Sequence, residues 1–285
     1  MTKSTQKHAL LVQAHKNVDY FIRLADYEKN LNIYVHLDKK SDEFTRLKSQ
    51  NLPTNFYLIE ERISVFWGGF SQILATLTLF DKAMSLPENQ FFHLVSGEDV
   101  LLQPIEMIEK NWQAIYNFAP MITCKQNQSY NYRFLCNAIH ADTDWQRQIV
   151  GKILTKMQQL FAKIYLLVVN PKPVYFGSQW FSITRSDWQK ILPFLHKYEQ
   201  FFVKKLVPDE HFFQTLLRQE TQISLSNINK RYIIFDKKIN NANSPIYLNF
   251  AQLQQAKQQG NWFARKVNQD VATAWLLADL KQEGR

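Results

Sequence analysis

The chain has 285 residues, 46% of them hydrophobic and 14% aromatic, which is enough to bury a substantial core and excludes a disordered chain. A formal charge of +9 predicts an anionic partner or surface, such as phosphate groups, acidic glycans or lipid headgroups. Nucleic acid answers to the same charge, but the lysines are scattered and no helix-turn-helix, zinc-finger or RNA-recognition pattern occurs, so none is expected.

Residues 1–7 run directly into a strand pattern with no signal peptide, and no apolar run is long enough to span a bilayer. The two cysteines, Cys124 and Cys136, lack metal-site and CxxC spacing and read as reduced thiols. A cytoplasmic protein follows as the expectation, with any membrane contact peripheral, at the inner face of the membrane.

The first hundred residues alternate strand patterns at 9–13, 33–37, 56–59 and 91–95 with helical spacing over Ser71–Met84 and 105–118. This order predicts βαβ units and an α/β fold with a mostly parallel central sheet flanked by helices. Each strand ends in a polar cluster: Ala14-His15-Lys16, Asp38-Lys39-Lys40, Glu60-Glu61-Arg62 and Ser96-Gly97-Glu98-Asp99. Ligands of open α/β sheets lie beyond the carboxyl ends of the strands, so a nucleotide is expected at these clusters. Asp38 suits a uracil ring or ribose, and the glycines of Trp67-Gly68-Gly69 allow close backbone approach before a helix. His15 and His36, with no second ligand at useful spacing, read as hydrogen-bonding or packing residues.

Asp142-Thr143-Asp144 spells the Asp-x-Asp of metal-dependent sugar transferases, but no continuous apolar strand precedes it. The pair reads as a cap for the helix that starts at Trp145, and no metal site is expected. That helix, over 145–169, sets Lys152, Lys156 and Lys163 among Ile, Leu, Met and Phe. A packed helix with a solvated basic edge is the plainer reading, and an amphipathic face on anionic lipid is the alternative. A strand over 180–184 then leads to a helix capped by Ser186, and Trp180 is placed either in the core or against a sugar face.

Pro208-Asp209-Glu210 followed by Phe-Phe-x-x-Leu-Leu reads as the first turn of a helix, which would hold Glu210 rigidly as a general base with its pKa lowered by the dipole. Fixed cations for a leaving diphosphate are offered by Lys230-Arg231 and Arg265-Lys266, though among 34 basic residues ordinary surface charge is the plainer reading of any one of them. No linker or repeat interrupts the chain, so residues 1–285 are read as a single domain. Its nucleotide-binding half covers about 8–118, and its acceptor and catalytic half about 119–285.

Taken in order, Ala14-His-Lys16, His36-Leu-Asp-Lys-Lys40, Val65-Phe-Trp-Gly-Gly-Phe-Ser71, His93-Leu-Val-Ser-Gly-Glu-Asp99, Gly177-Ser-Gln-Trp180, Pro208-Asp-Glu-His-Phe-Phe-Gln-Thr215, Lys230-Arg-Tyr-Ile233 and Phe263-Ala-Arg-Lys266 resemble the core-2/I-branching β-1,6-N-acetylglucosaminyltransferase family, which includes the peptide O-xylosyltransferases. The resemblance implies a GT-A-like fold and a metal-independent, inverting transferase using a UDP-sugar, with no cofactor. It makes Glu210 the catalytic base and sets Arg231 and Lys266 at the diphosphate. His15, Asp38, Trp67, Gly68, Ser96, Gly97 and Asp99 fall to the nucleotide and donor site. Gly177, Ser178, Gln179, Trp180 and Asp209 fall to the sugar and acceptor pocket.

Animal relatives carry an anchor, a stem and several disulfides, so this chain resembles a bacterial member acting on an oligosaccharide acceptor of lipopolysaccharide or capsule type. The Ser-Gly-Glu-Asp-Val-Leu-Leu segment departs from the family's Ser-Gly-x-Asp-x-Pro while keeping Asp99. N-Acetylglucosamine is the expected donor sugar and xylose the second. The readings of other classes are a non-catalytic glycan- or nucleotide-binding module and a basic nucleic-acid or lipid-surface protein.

Overall fold

The computed structural model describes residues 7–236 and 244–282. The leader reading therefore rests largely on residues outside those described. The central sheet has five strands in the order β3-β2-β1-β4-β8: β1 (Lys7–Ala14), β2 (Leu31–Leu37), β3 (Phe56–Leu58), β4 (Asn89–Ser96) and β8 (Ser182–Thr184). The first four run parallel, and β8 joins β4 antiparallel. The βαβ reading and the mostly parallel sheet are thus observed, and the helix over Ser71–Met84 (α3) has the predicted bounds.

Alternation along β1 builds both faces of the sheet. Leu10 and Val12 enter one buried cluster, with α1 (Asp19–Tyr27), α4 (Ile105–Tyr116), Leu248, Trp262, Phe263 and Trp275. Ala9 and Leu11 enter the other, with α3, Trp188 and the Phe212-Phe213 pair. Both clusters combine residues from either side of position 118, so the two halves share their cores.

Two smaller sheets complete the frame. β10 (Phe263–Arg265) pairs antiparallel with β5 (Asp99–Leu101) and parallel with β9 (Arg231–Ile233), which sets Arg265 directly opposite Asp99. β6 (Lys125–Gln126) pairs with β7 (Tyr175–Phe176).

Three helix readings need correction. α7 (Arg185–Ile191) is capped by Thr184, whose hydroxyl accepts from Asp187 N–H; the cap therefore lies two residues before Ser186. α6 spans Ile149–Tyr165 with Gln148 at its N-cap position and no side-chain cap bond, while Asp144 opens a separate 3₁₀ turn, Asp144–Arg147. The Asp142 carboxylate accepts from the backbone N–H and hydroxyl of Ser71, so it closes the first turn of α3 from a distance. Pro208–Glu210 is a separate 3₁₀ turn, broken at His211 before α9 (Phe212–Glu220) begins.

Candidate active site

The strand order reverses direction between β1 and β4, and a cleft of about 900 Å³ opens beyond their carboxyl ends. Ala14, the last residue of β1, with His15; Asp38 and Lys40 after β2; and Ser96, the last residue of β4, with Gly97 and Glu98 line it. Gly97 fits there because a Cβ would stand 2.8 Å from the Ala14 Cβ. Any larger residue would push the two loops apart at the cleft floor.

The third predicted cluster stays out of the lining. Glu60 pairs with Lys48 at 2.9 Å, while Arg62 stacks over Phe44 and donates to the Asp38 carbonyl. His36 does reach the cleft, and its Nε2 accepts from Ile63 N–H at 2.9 Å. Burial lowers its pKa to about 4, so it is a neutral acceptor.

Asp38 accepts from Lys40 N–H at 2.9 Å, which folds the loop so that one carboxylate oxygen lies 3.8 Å from the Lys40 ammonium. Ser96 donates its hydroxyl to Asp99 at 2.8 Å, and Asp99 in turn receives Arg265 Nη1 at 2.9 Å. Asp99 is buried outside the lining, whereas Arg265 enters the cleft over the Trp180 ring, 4.7 Å from its centroid.

Lys266 also lines the cleft, 3.0 Å from Glu98. Burial works against ionisation of Glu98, but the Tyr247 hydroxyl and Lys266 outweigh it and hold the pKa low. The lining carries five cations, Lys40, Arg147, Lys152, Arg265 and Lys266, against the two carboxylates of Asp38 and Glu98. Its charge suits an anion with several oxygens.

Arg231 is elsewhere. Its guanidinium donates to the carbonyls of Asn229, Leu94 and Phe181 and to the Ser182 hydroxyl, tying β4 and β8 to the strand that carries it. The residue is 7% exposed, and desolvation pulls its pKa down to about 9. These bonds give Arg231 a structural position, and the second cleft cation beside Lys266 is Arg265.

Glu210 is not in the cleft lining but joins it through the backbone. Its carbonyl accepts from Gly177 N–H at 2.9 Å, and Trp180, three residues further, lines the cleft. Ser178 and Gln179 lie between: Ser178 N–H donates to Thr123 Oγ1, and Gln179 Nε2 donates to Gln13 at 2.9 Å. At the other side, Trp67 is an exposed wall of the cleft, and the Gly68 carbonyl accepts from Gln146 and Val207.

Arg133, which no sequence pattern singled out, holds the Glu210 carboxylate at 3.1 Å. The same Nη1 lies 3.1 Å from Nε2 of His211, whose Nδ1 donates to the Tyr175 carbonyl. This fixes His211 as the neutral tautomer, and burial and then Arg133 lower its pKa to about 3. Burial raises the Glu210 pKa and Arg133 opposes that rise, contrary to the dipole argument from sequence. The turn's separation from α9 removes the helix end that would have lowered it. A side-chain exposure of 36% keeps Glu210 open to a hydroxyl. Asp209 is buried beside it with Oδ1 unpartnered, and burial followed by the Glu210 charge pushes its pKa up to about 7.

Among the described residues, no group of three His, Cys, Asp or Glu side chains gathers as a metal site. The GT-A-like α/β frame thus opens a cationic cleft at its switch point, the place where open α/β sheets take their ligands. A family model of the Core-2/I-Branching enzymes matches residues 12–255, and the chain belongs to that family. It is therefore a glycosyltransferase, with a nucleotide-sugar donor and a glycan acceptor. A search of curated proteins gave no match.

Proposed function

We propose that the protein is a metal-independent, inverting glycosyltransferase that moves N-acetylglucosamine from its UDP-sugar to a hydroxyl of a bacterial surface glycan. The cationic cleft carries this reading, with five cations against two carboxylates at the carboxyl ends of β1, β2 and β4. Asp38 meets the uridine, Ser96 and Gly97 give the diphosphate a close floor, and Arg265 and Lys266 face its oxygens. Both cations are held in place by carboxylate partners, Arg265 by Asp99 and Lys266 by Glu98.

Glu210 accepts the proton of the acceptor hydroxyl as that oxygen bonds to the anomeric carbon from the face opposite UDP. The bond from the anomeric carbon to the diphosphate oxygen breaks in the same displacement. Its electron pair leaves with UDP, where Arg265 and Lys266 stabilise it. Trp180 is 9% exposed within the second buried cluster and its ring is covered by Arg265, so of its two expected places it takes the core one and backs the cleft wall. The test is UDP release over a panel of UDP-sugars with oligosaccharide acceptors in EDTA. Activity with UDP-N-acetylglucosamine supports the donor, activity with UDP-xylose moves the reading to that sugar, and activity that EDTA abolishes overturns metal independence.

A further inference from the structure

α6 is inside out for a helix in water. Such a helix turns an apolar stripe inward and a polar face outward. Here the buried positions are Gly151, Gln158 and Ala162. Gly151 lets the helix seat directly on the chain before it, since a Cβ there would stand 2.0 Å from the Trp145 carbonyl oxygen. Gln158 donates to the Tyr132 carbonyl at 2.8 Å. On the outer side Ile149, Ile153, Met157, Leu160 and Ile164 follow at steps of four, four, three and four residues, each between 53% and 74% exposed. Leu167 and Val168 prolong the stripe past the helix end at 84% and 82% exposure.

A patch of this kind marks an interaction surface, and its charges choose the partner. Lys152, Lys156 and Lys163 form a row along one edge of the stripe, and the sequence has no acidic residue between Asp144 and Asp187. A second copy laid antiparallel on this face about a two-fold axis would set lysines against lysines with no carboxylate in α6 to answer them. An anionic headgroup layer satisfies both parts: apolar side chains reach the acyl boundary while the ammonium groups stay among phosphates. Trp145 and Tyr165, near the two ends of α6, are residue types that favour this interface. No helix among the described residues is long and apolar enough to cross a membrane, so α6 is suited to lie on the bilayer.

We propose that α6 docks the protein onto an anionic lipid leaflet. Lys152 belongs both to this helix and to the cleft lining, so docking brings the cleft to the lipid surface. The acceptor class that fits is a saccharide carried on a lipid; this last step rests on the transferase reading, and the docking does not.

The experiment is flotation of the full chain with vesicles of phosphatidylcholine, with and without added phosphatidylglycerol, at low and high salt. The protein should rise with the phosphatidylglycerol vesicles and be released by salt. Lys156→Gln and Lys163→Gln should each weaken partitioning about fivefold. Met157→Glu with Ile164→Glu should leave the protein at the bottom with an unchanged melting temperature, since both sites are solvent-facing. Wild-type protein that never floats, or a double glutamate variant that floats equally well, overturns the proposal. So does a dimer in sedimentation that the same pair dissociates when no vesicle binding is seen. UDP release with a soluble acceptor is measured without vesicles, so failure of docking and failure of transfer are separate results.

Discussion

Arg133 Nη1 lies 3.1 Å from Glu210 Oε2 and 3.1 Å from His211 Nε2, so one partly buried cation orients the candidate base and the residue beside it. Burial raises the Glu210 pKa and Arg133 opposes that rise. Only ionised Glu210 takes a proton, so activity should fall on the acid side as the carboxylate titrates. Removing the cation in Arg133→Gln should move this acid limb to higher pH and lower turnover at neutral pH. A pH profile of kcat/KM reads both, and an unmoved limb would separate Arg133 from the base.

Arg231 and Lys266 should fail in different ways. Arg231→Met strips donors from the buried carbonyls of Leu94 and Phe181 and should cost roughly 3 kcal/mol of stability. Lys266→Gln removes a partly exposed cation from the cleft, where Glu98 keeps its Tyr247 bond. It should melt near wild type yet lose roughly a hundredfold in turnover. Thermal melting and steady-state kinetics on the two variants distinguish these outcomes, and a stable Arg231→Met protein with lost turnover would return Arg231 to the site.

Stability should change with pH through two opposing groups. Burial lowers the pKa values of His211 and His36 to about 3 and about 4 from the ordinary histidine value of 6.5, so between these limits the unfolded chain binds more protons. Their contribution is complete above 6.5 and is lost as pH falls toward 3. Asp209 runs the other way: raised from 3.8 to about 7, it keeps its proton in the fold, so its contribution is complete below 3.8 and lost as pH rises through 7. Asp209→Asn should therefore gain melting temperature over wild type progressively from about pH 4 to pH 7. Melting curves that stay parallel across that range would show Asp209 ionised in the fold.

Much of the frame was legible because period-two and helical patterns are local properties of a chain. The four strands, the bounds of α3 and the clusters after β1, β2 and β4 follow from them. The destinations of single charged side chains do not. Arg231 and Arg265 each sit in a short strand of the three-stranded sheet beside another basic residue, yet pairing buries the first among carbonyls and sets the second opposite Asp99. Arg133 comes to Glu210 across 77 residues of sequence, and nothing local marks it. Periodicity also showed that α6 is two-faced without saying which face turns inward; Gly151 and Ala162, small enough for close contact, were the available signal.

The most direct measurement is single-turnover transfer from UDP-N-acetylglucosamine by wild type and Glu210→Gln, in EDTA, with UDP binding followed in parallel. A base role for Glu210 predicts transfer by the wild type, UDP affinity unchanged in the variant, and a rate lower by roughly two to four orders of magnitude. A Glu210→Gln protein that transfers sugar at the wild-type rate would contradict it.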